Sequence, residues 1–183
     1  MSDWKFIQRN KPAVSRPVDL RLTLSLGYML DGTDWYSQEQ YNSLTDVDPI
    51  PWEDIHIVAN LDQQQIFKSP VNNVEEISCT FQDTQQEQPH QLTLEITGIG
   101  DLHRPRWPTG QYGSAMLKIT NICIENINLQ HAVPTLGQYL LEDGTVNFAN
   151  SLAGNNGIYS LSFTTPIYSW LIQHSDLILN KKY

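Results

Sequence analysis

Period-two alternation of apolar and polar residues is the feature that most constrains this chain. In "DLRLTLSLGYML" Leu20, Leu22, Leu24 and Leu26 fall on one side of an extended backbone, with Arg21, Thr23 and Ser25 on the other. A helix would scatter those leucines around its circumference, whereas a half-buried strand gathers them on one face. The pattern recurs in "DIHIVANLD" (Ile55, Ile57, Ala59, Leu61), "EISCTFQD" (Ile77, Cys79, Phe81), "LTLEIT" (Leu92, Leu94, Ile96) and "GIYSLSFTT". "SAMLKITNICIENINL" alternates as well, but its inward set changes phase near Asn121, which predicts a bulge or a break into two strands. "QYLLEDGTVNFAN" reads as a hairpin turning at Asp143-Gly144.

Seven or eight such strands with little helical periodicity predict an all-β fold, an antiparallel β-sandwich that is jelly-roll-like or carbohydrate-binding-module-like. The 183 residues suit one domain. Residues 1–18 are expected as an extended basic arm and 19–183 as the sandwich, with a long acidic loop over 31–54. The C-terminal stretch changes period. Ile167, Trp170, Leu171, His174 and Ile178 lie at helical spacing, which predicts one short helix over 166–180 with Thr165 as its cap and Pro166 in its first turn.

Charge is segregated along the chain, whose formal net charge is −9. From Leu22 to His103 Lys68 alone stands against fourteen acids, whereas Met1 to Val18 holds Lys5, Arg9, Lys11 and Arg16 against Asp3. An acidic body disfavours nucleic acid, whose binding depends on neutralising phosphates. A basic arm and an acidic body on two copies would attract each other, so a homo-oligomer is expected. No apolar run reaches the roughly 20 residues of a membrane span, and no membrane insertion is expected. The N-terminus lacks the apolar core of a secretory signal, which points to synthesis in a cytoplasm. Cys79 and Cys123 sit within strand patterns and read as free thiols, with a cross-strand disulfide as the alternative.

Three groups of residues stand out as candidate contact sites. The loop "GIGDLHRPRWPTGQYG" concentrates Arg104, Arg106, Trp107 and Tyr112, combining flat apolar faces with directional donors suited to an acidic partner surface or to a sugar. The arm offers Trp4, Phe6 and Arg9, and the acidic loop offers Trp35, Tyr36 and Trp52, which with Tyr41 read either as interface anchors or as a satellite core folded back on the domain; Trp107 likewise reads either as a contact residue or as a cap on its own core. Catalysis has no comparable signature. The five histidines stand without HxH or HExxH spacing, and GxSxG and GxxxxGK[ST] are missing from the sequence, so the expectation is a non-enzymatic protein with no cofactor and no metal. Calcium on the acids of 31–54 is a weaker alternative.

The segments "LTLEITGIGD", "LKITNICIENINL" and "SLSFTTPIYSWLI" resemble small β-sandwich structural proteins of T4-like tailed bacteriophages, cyanophages among them. The resemblance covers well under half of the chain and transfers no catalytic residue. It implies a virion or tail-associated component that works by assembly with other virion proteins. The alternative is a carbohydrate-binding domain that recognises host surface glycans through Trp107 and its neighbours.

Overall fold

The computed structural model describes residues 15–70, 73–105, 107, 109–148 and 152–179. Its elements follow in the order β1 (Arg16–Leu30), β2 (Asp34–Ser37), α1 (Gln38–Asn42), a 3-10 turn (Trp52–Asp54), β3 (His56–Leu61), β4 (Gln64–Pro70), β5 (Val74–Asp83), β6 (Gln88–Thr97), a second 3-10 turn (Asp101–His103) and β7 (Gly113–Ile124). They continue through β8 (Ile127–Asn128), α2 (Val133–Leu136), β9 (Gly137–Leu141), β10 (Val146–Phe148), β11 (Leu152–Ala153), β12 (Gly157–Thr165), α3 (Ile167–Gln173) and α4 (Ser175–Ile178).

These strands form two antiparallel sheets, as the alternation predicted. One has the order β11-β7-β1-β2, with β5 also paired to β1 and β8 to β7; the other runs β10-β9-β12-β6-β3-β4. β1 is long enough to serve two neighbours on one edge: Arg16–Ser25 pairs with β5, and Gly27–Leu30 pairs with β2. Its even-numbered side chains from Val18 to Leu30 point inward and are buried. Opposite them, Ile57, Ala59 and Leu61 of β3, Leu92, Leu94 and Ile96 of β6, and Tyr159, Leu161 and Phe163 of β12 complete a single core. The phase change in β7 is a bulge. Register slips between Thr23 and Leu24 opposite Ile119–Asn121, so Ile119 and Ile122 both face inward, and the Thr120 hydroxyl donates to the Thr23 carbonyl at 3.1 Å.

Five details differ from the expectations above. The sandwich begins earlier than residue 19, because Arg16, Pro17 and Val18 belong to β1 and Val18 is fully buried. The hairpin expected at Asp143-Gly144 is present as β9 and β10, but more strands form than the alternation shows: β4 lacks a clean period, and β2, β8 and β11 span only two to four residues. The acidic connection 31–54 contains β2, α1 and a 3-10 turn; Ser37 caps α1 by accepting from the Gln40 amide at 3.2 Å, while the Gln40 side chain accepts from the Ser37 amide at 2.8 Å. Fourth, the C-terminal helix is two short helices that meet at His174, whose Nδ1 lies 2.8 Å from the Trp170 carbonyl oxygen. Ile167, Trp170, Leu171 and Ile178 are buried as their spacing predicted. Among the described residues no helix is long and apolar enough to cross a membrane.

Thr165 does not cap α3. It is buried and donates to the Gln86 carbonyl at 2.9 Å, leaving the cap to Asp83, whose Oδ1 accepts from the Ile167 amide at 2.8 Å. The other carboxylate oxygen of Asp83 accepts from Arg16 Nε at 3.3 Å, and the Arg16 guanidinium lies 4.8 Å above the Tyr168 ring. One buried carboxylate thus joins the start of β1, the end of β5 and the start of α3. Asp83→Ala leaves the Ile167 donor without its acceptor, while Arg16 keeps Glu125 at 3.5 Å, so the expected loss is that of a helix cap, about 1–2 kcal/mol in a urea titration. Asp83→Asn keeps an acceptor for Ile167 and should fall between the alanine variant and the wild type.

Candidate functional site

The loop that leaves β6 is tied to the acidic connection before it reaches its aromatic residue. Gly98 has φ +89°, and a Cβ there would stand 1.8 Å from the Asp54 carbonyl oxygen, so only glycine permits this close approach. His103 is buried; its Nδ1 accepts from the Gly100 amide at 3.1 Å, which leaves Nε2–H to donate to the Pro51 carbonyl at 3.0 Å. Trp107 then turns inward. Its ring centroid lies 5.8 Å from Tyr28, 5.2 Å from Tyr36 and 6.3 Å from Tyr41, and Tyr41 meets Trp52 edge-on at 5.7 Å. Polar tips find partners at the margin of this cluster: Tyr28 donates to the Pro105 carbonyl at 2.9 Å, Tyr41 to the Asp48 carbonyl at 2.8 Å, and Trp52 Nε1 to Asn42 Oδ1 at 2.9 Å.

Trp107, Tyr36, Tyr41 and Trp52 therefore form a satellite core that closes one end of the sandwich. Trp107 and Tyr36 are half-buried, while Trp52 and Tyr41 are buried, so of the two readings of these aromatics internal packing holds and the outward-anchor role does not. Arg104 stays exposed and donates to Asn155 Oδ1 at 2.6 Å, and Tyr112 is also exposed. Arg106, together with Trp4, Phe6 and Arg9 of the arm, lies outside the described residues. Cys79 and Cys123 are free thiols, half-buried on opposite faces of their sheet.

Trp35 takes the other direction. It pairs with Met29, an outward position of β1, and its indole lies against Gly27, where a Cβ would meet the ring at 2.5 Å. The Lys118 ammonium sits 5.5 Å from the centroid of that ring. Trp35 is thus a half-buried aromatic plate on the outer face of the first sheet.

On the outer face of the second sheet, the register brings together residues that the sequence reading missed. Val146 stands opposite Leu140, Leu140 opposite Ile158, and Ile158 opposite Glu95. Val146, Leu140 and Ile158 are 47%, 44% and 41% exposed, forming an apolar row across three strands. A signal was present in the sequence: Ile158 occupies the polar phase of a strand whose inward residues are Tyr159, Leu161 and Phe163. Farther along the same face, a cavity of about 940 Å³ is lined by Asn60, Gln63, Gln88, Gln91, Thr93 and Ser162. Asp62 at its edge is already engaged, accepting from the Gln91 amide at 2.8 Å and lying 2.6 Å from His90 Nδ1. No protein-family model, curated protein or solved structure matches this chain.

Trp107→Ala removes the ring on which Tyr28, Tyr36 and Tyr41 converge and should cost about 2–4 kcal/mol in chemical denaturation, whereas a residue used only for external contact would leave stability unchanged. Burial disfavours ionisation of Tyr28, Tyr41, Tyr139 and Tyr159 and raises their pKa, that of Tyr139 to about 12. Folding keeps these phenols neutral while the unfolded chain ionises near 10, so their contribution is fully present below pH 10 and declines as pH rises toward 12. A tyrosinate absorbance titration should show late ionisation coinciding with loss of folded structure.

Proposed function

We propose that this protein is a non-enzymatic structural subunit of a tailed-phage particle that works by self-association and by assembly with other virion proteins. The observation that carries the reading is the row Val146, Leu140 and Ile158, three apolar neighbours left in solvent on a sheet face that is otherwise mainly polar. Exposed Glu95 stands opposite Ile158 at its end, and exposed Glu142 follows β9 in the hairpin turn. The first fourteen residues offer the complement, with Trp4, Phe6 and Ile7 among Lys5, Arg9 and Lys11. A neighbouring copy could therefore cover the row with apolar side chains and answer these carboxylates with cations. The resemblance to phage sandwich proteins supports the setting, and localisation in the virion after synthesis in the host cytoplasm belongs to the same reading. A glycan site centred on Trp107 is less favoured, because that ring packs on Tyr28, Tyr36 and Tyr41.

Light scattering on the eluting full-length protein tests this. The wild type is expected to elute as an oligomer that weakens with salt. The double variant Leu140→Asp, Ile158→Asp should be monomeric at an unchanged melting temperature, and Lys5→Glu with Arg9→Glu should shift the equilibrium the same way. A wild type that is monomeric at every concentration and salt, or an oligomer indifferent to all four substitutions, overturns self-association through this face.

A further inference from the structure

We infer that the outer face of the first sheet, along β1 from Arg21 to Gly27, is a binding site for an extended neutral polysaccharide. Outward positions of β1 are Arg21, Thr23, Ser25 and Gly27, and successive outward positions place the two ends of this strip about 20 Å apart. The strip has different chemistry at each end.

At one end Arg21 stands in a groove of about 490 Å³ that is also lined by Thr23, Glu76, Ser78, Asn121 and Asn126. Arg21 donates to Asn126 Oδ1, and among the described residues no carboxylate lies within ion-pair distance of its guanidinium. Its remaining N–H groups are available in a fixed planar fork. Glu76 supplies acceptors beside that fork, Asn121 an amide, and Ser78 and Thr23 hydroxyls. The bulge between β1 and β7 assists, because it keeps Asn121 and Cys123 on the outer face while Ile119 and Ile122 both turn inward. Sugar hydroxyls both donate and accept, and this mixed set offers both kinds of partner in one groove.

At the other end Trp35 provides a plate. The absence of a side chain at Gly27 lets the indole lie against the backbone, and the half-exposed ring carries the Lys118 ammonium 5.5 Å from its centroid. A pyranose ring presents an apolar C–H face that can cover such an indole, displacing the Lys118 ammonium toward a hydroxyl. Met29 and Met116 border the same area. Electrostatics selects among polysaccharides: Glu76 within the groove and a chain charge of −9 oppose a uronic-acid polymer, while a neutral one meets no such barrier. This site lies on the opposite sheet from the proposed assembly row, so occupation of one leaves the other open.

Native affinity electrophoresis of the full-length protein through gels containing dextran, mannan, xylan or galactan, with polygalacturonate as the charged contrast, tests the proposal. The wild type should be retarded by at least one neutral polymer. Trp35→Ala and Arg21→Ala, each with wild-type circular dichroism, should each weaken that retardation at least tenfold, and Leu140→Asp with Ile158→Asp should retain it. The last variant separates this proposal from the assembly reading, since loss of the oligomer with retained retardation leaves the glycan site standing. Retardation by none of the neutral polymers, retardation by polygalacturonate alone, or binding that survives both Trp35→Ala and Arg21→Ala overturns it.

Discussion

Everything in the first sheet depends on the backbone pairing of β1. Its fifteen residues pair with β7 along one edge and with β5 and then β2 along the other, so one continuous strand sets the register of three neighbours. The same strand directs seven even-numbered side chains, Val18 through Leu30, into the space between the sheets. A slip of one residue would exchange those apolar groups for Arg21, Thr23 and Ser25, and that penalty is what fixes the register.

The length of β1 also determines where the aromatic residues go. Beyond Ser25 its edge is left by β5 and taken by β2, and this pairing sends consecutive residues to opposite sides: Tyr36 follows Tyr28 inward, while Trp35 follows Met29 outward. The inward branch builds the cluster around Trp107 and Tyr41, which anchors both the acidic connection and the loop after β6. The outward branch leaves an indole resting on Gly27. At the far end of the strand, Arg16 and Asp83 hold the C-terminal helices against the sandwich.

The two outer faces have separate characters. One carries an arginine, amides, hydroxyls and an aromatic plate; the other carries a cross-strand apolar row beside glutamates. Polar and planar groups suit recognition of a hydroxylated ligand, whereas exposed apolar neighbours are stabilised by exclusion of water at a protein contact. Because these chemistries lie on opposite sheets, covering one surface leaves the other open.

The alternation of Leu20 to Leu26, Ile55 to Leu61 and Leu92 to Ile96 determined the strands, their inward faces and hence a two-layer β architecture, because a period of two leaves the backbone few other ways to bury those residues. The phase change near Asn121 likewise foretold the bulge, and the apolar spacing from Ile167 to Ile178 foretold helical packing. Strand partners, however, depend on contacts between residues far apart in sequence. Only tertiary structure could decide that Trp107 meets Tyr28, that Asp83 rather than Thr165 caps α3, and that Val146, Leu140 and Ile158 become neighbours. The sequence alone determined which side chains needed burial; the pairing of strands decided which remaining side chains stand together on the surface, because local periodicity contains no information about lateral register.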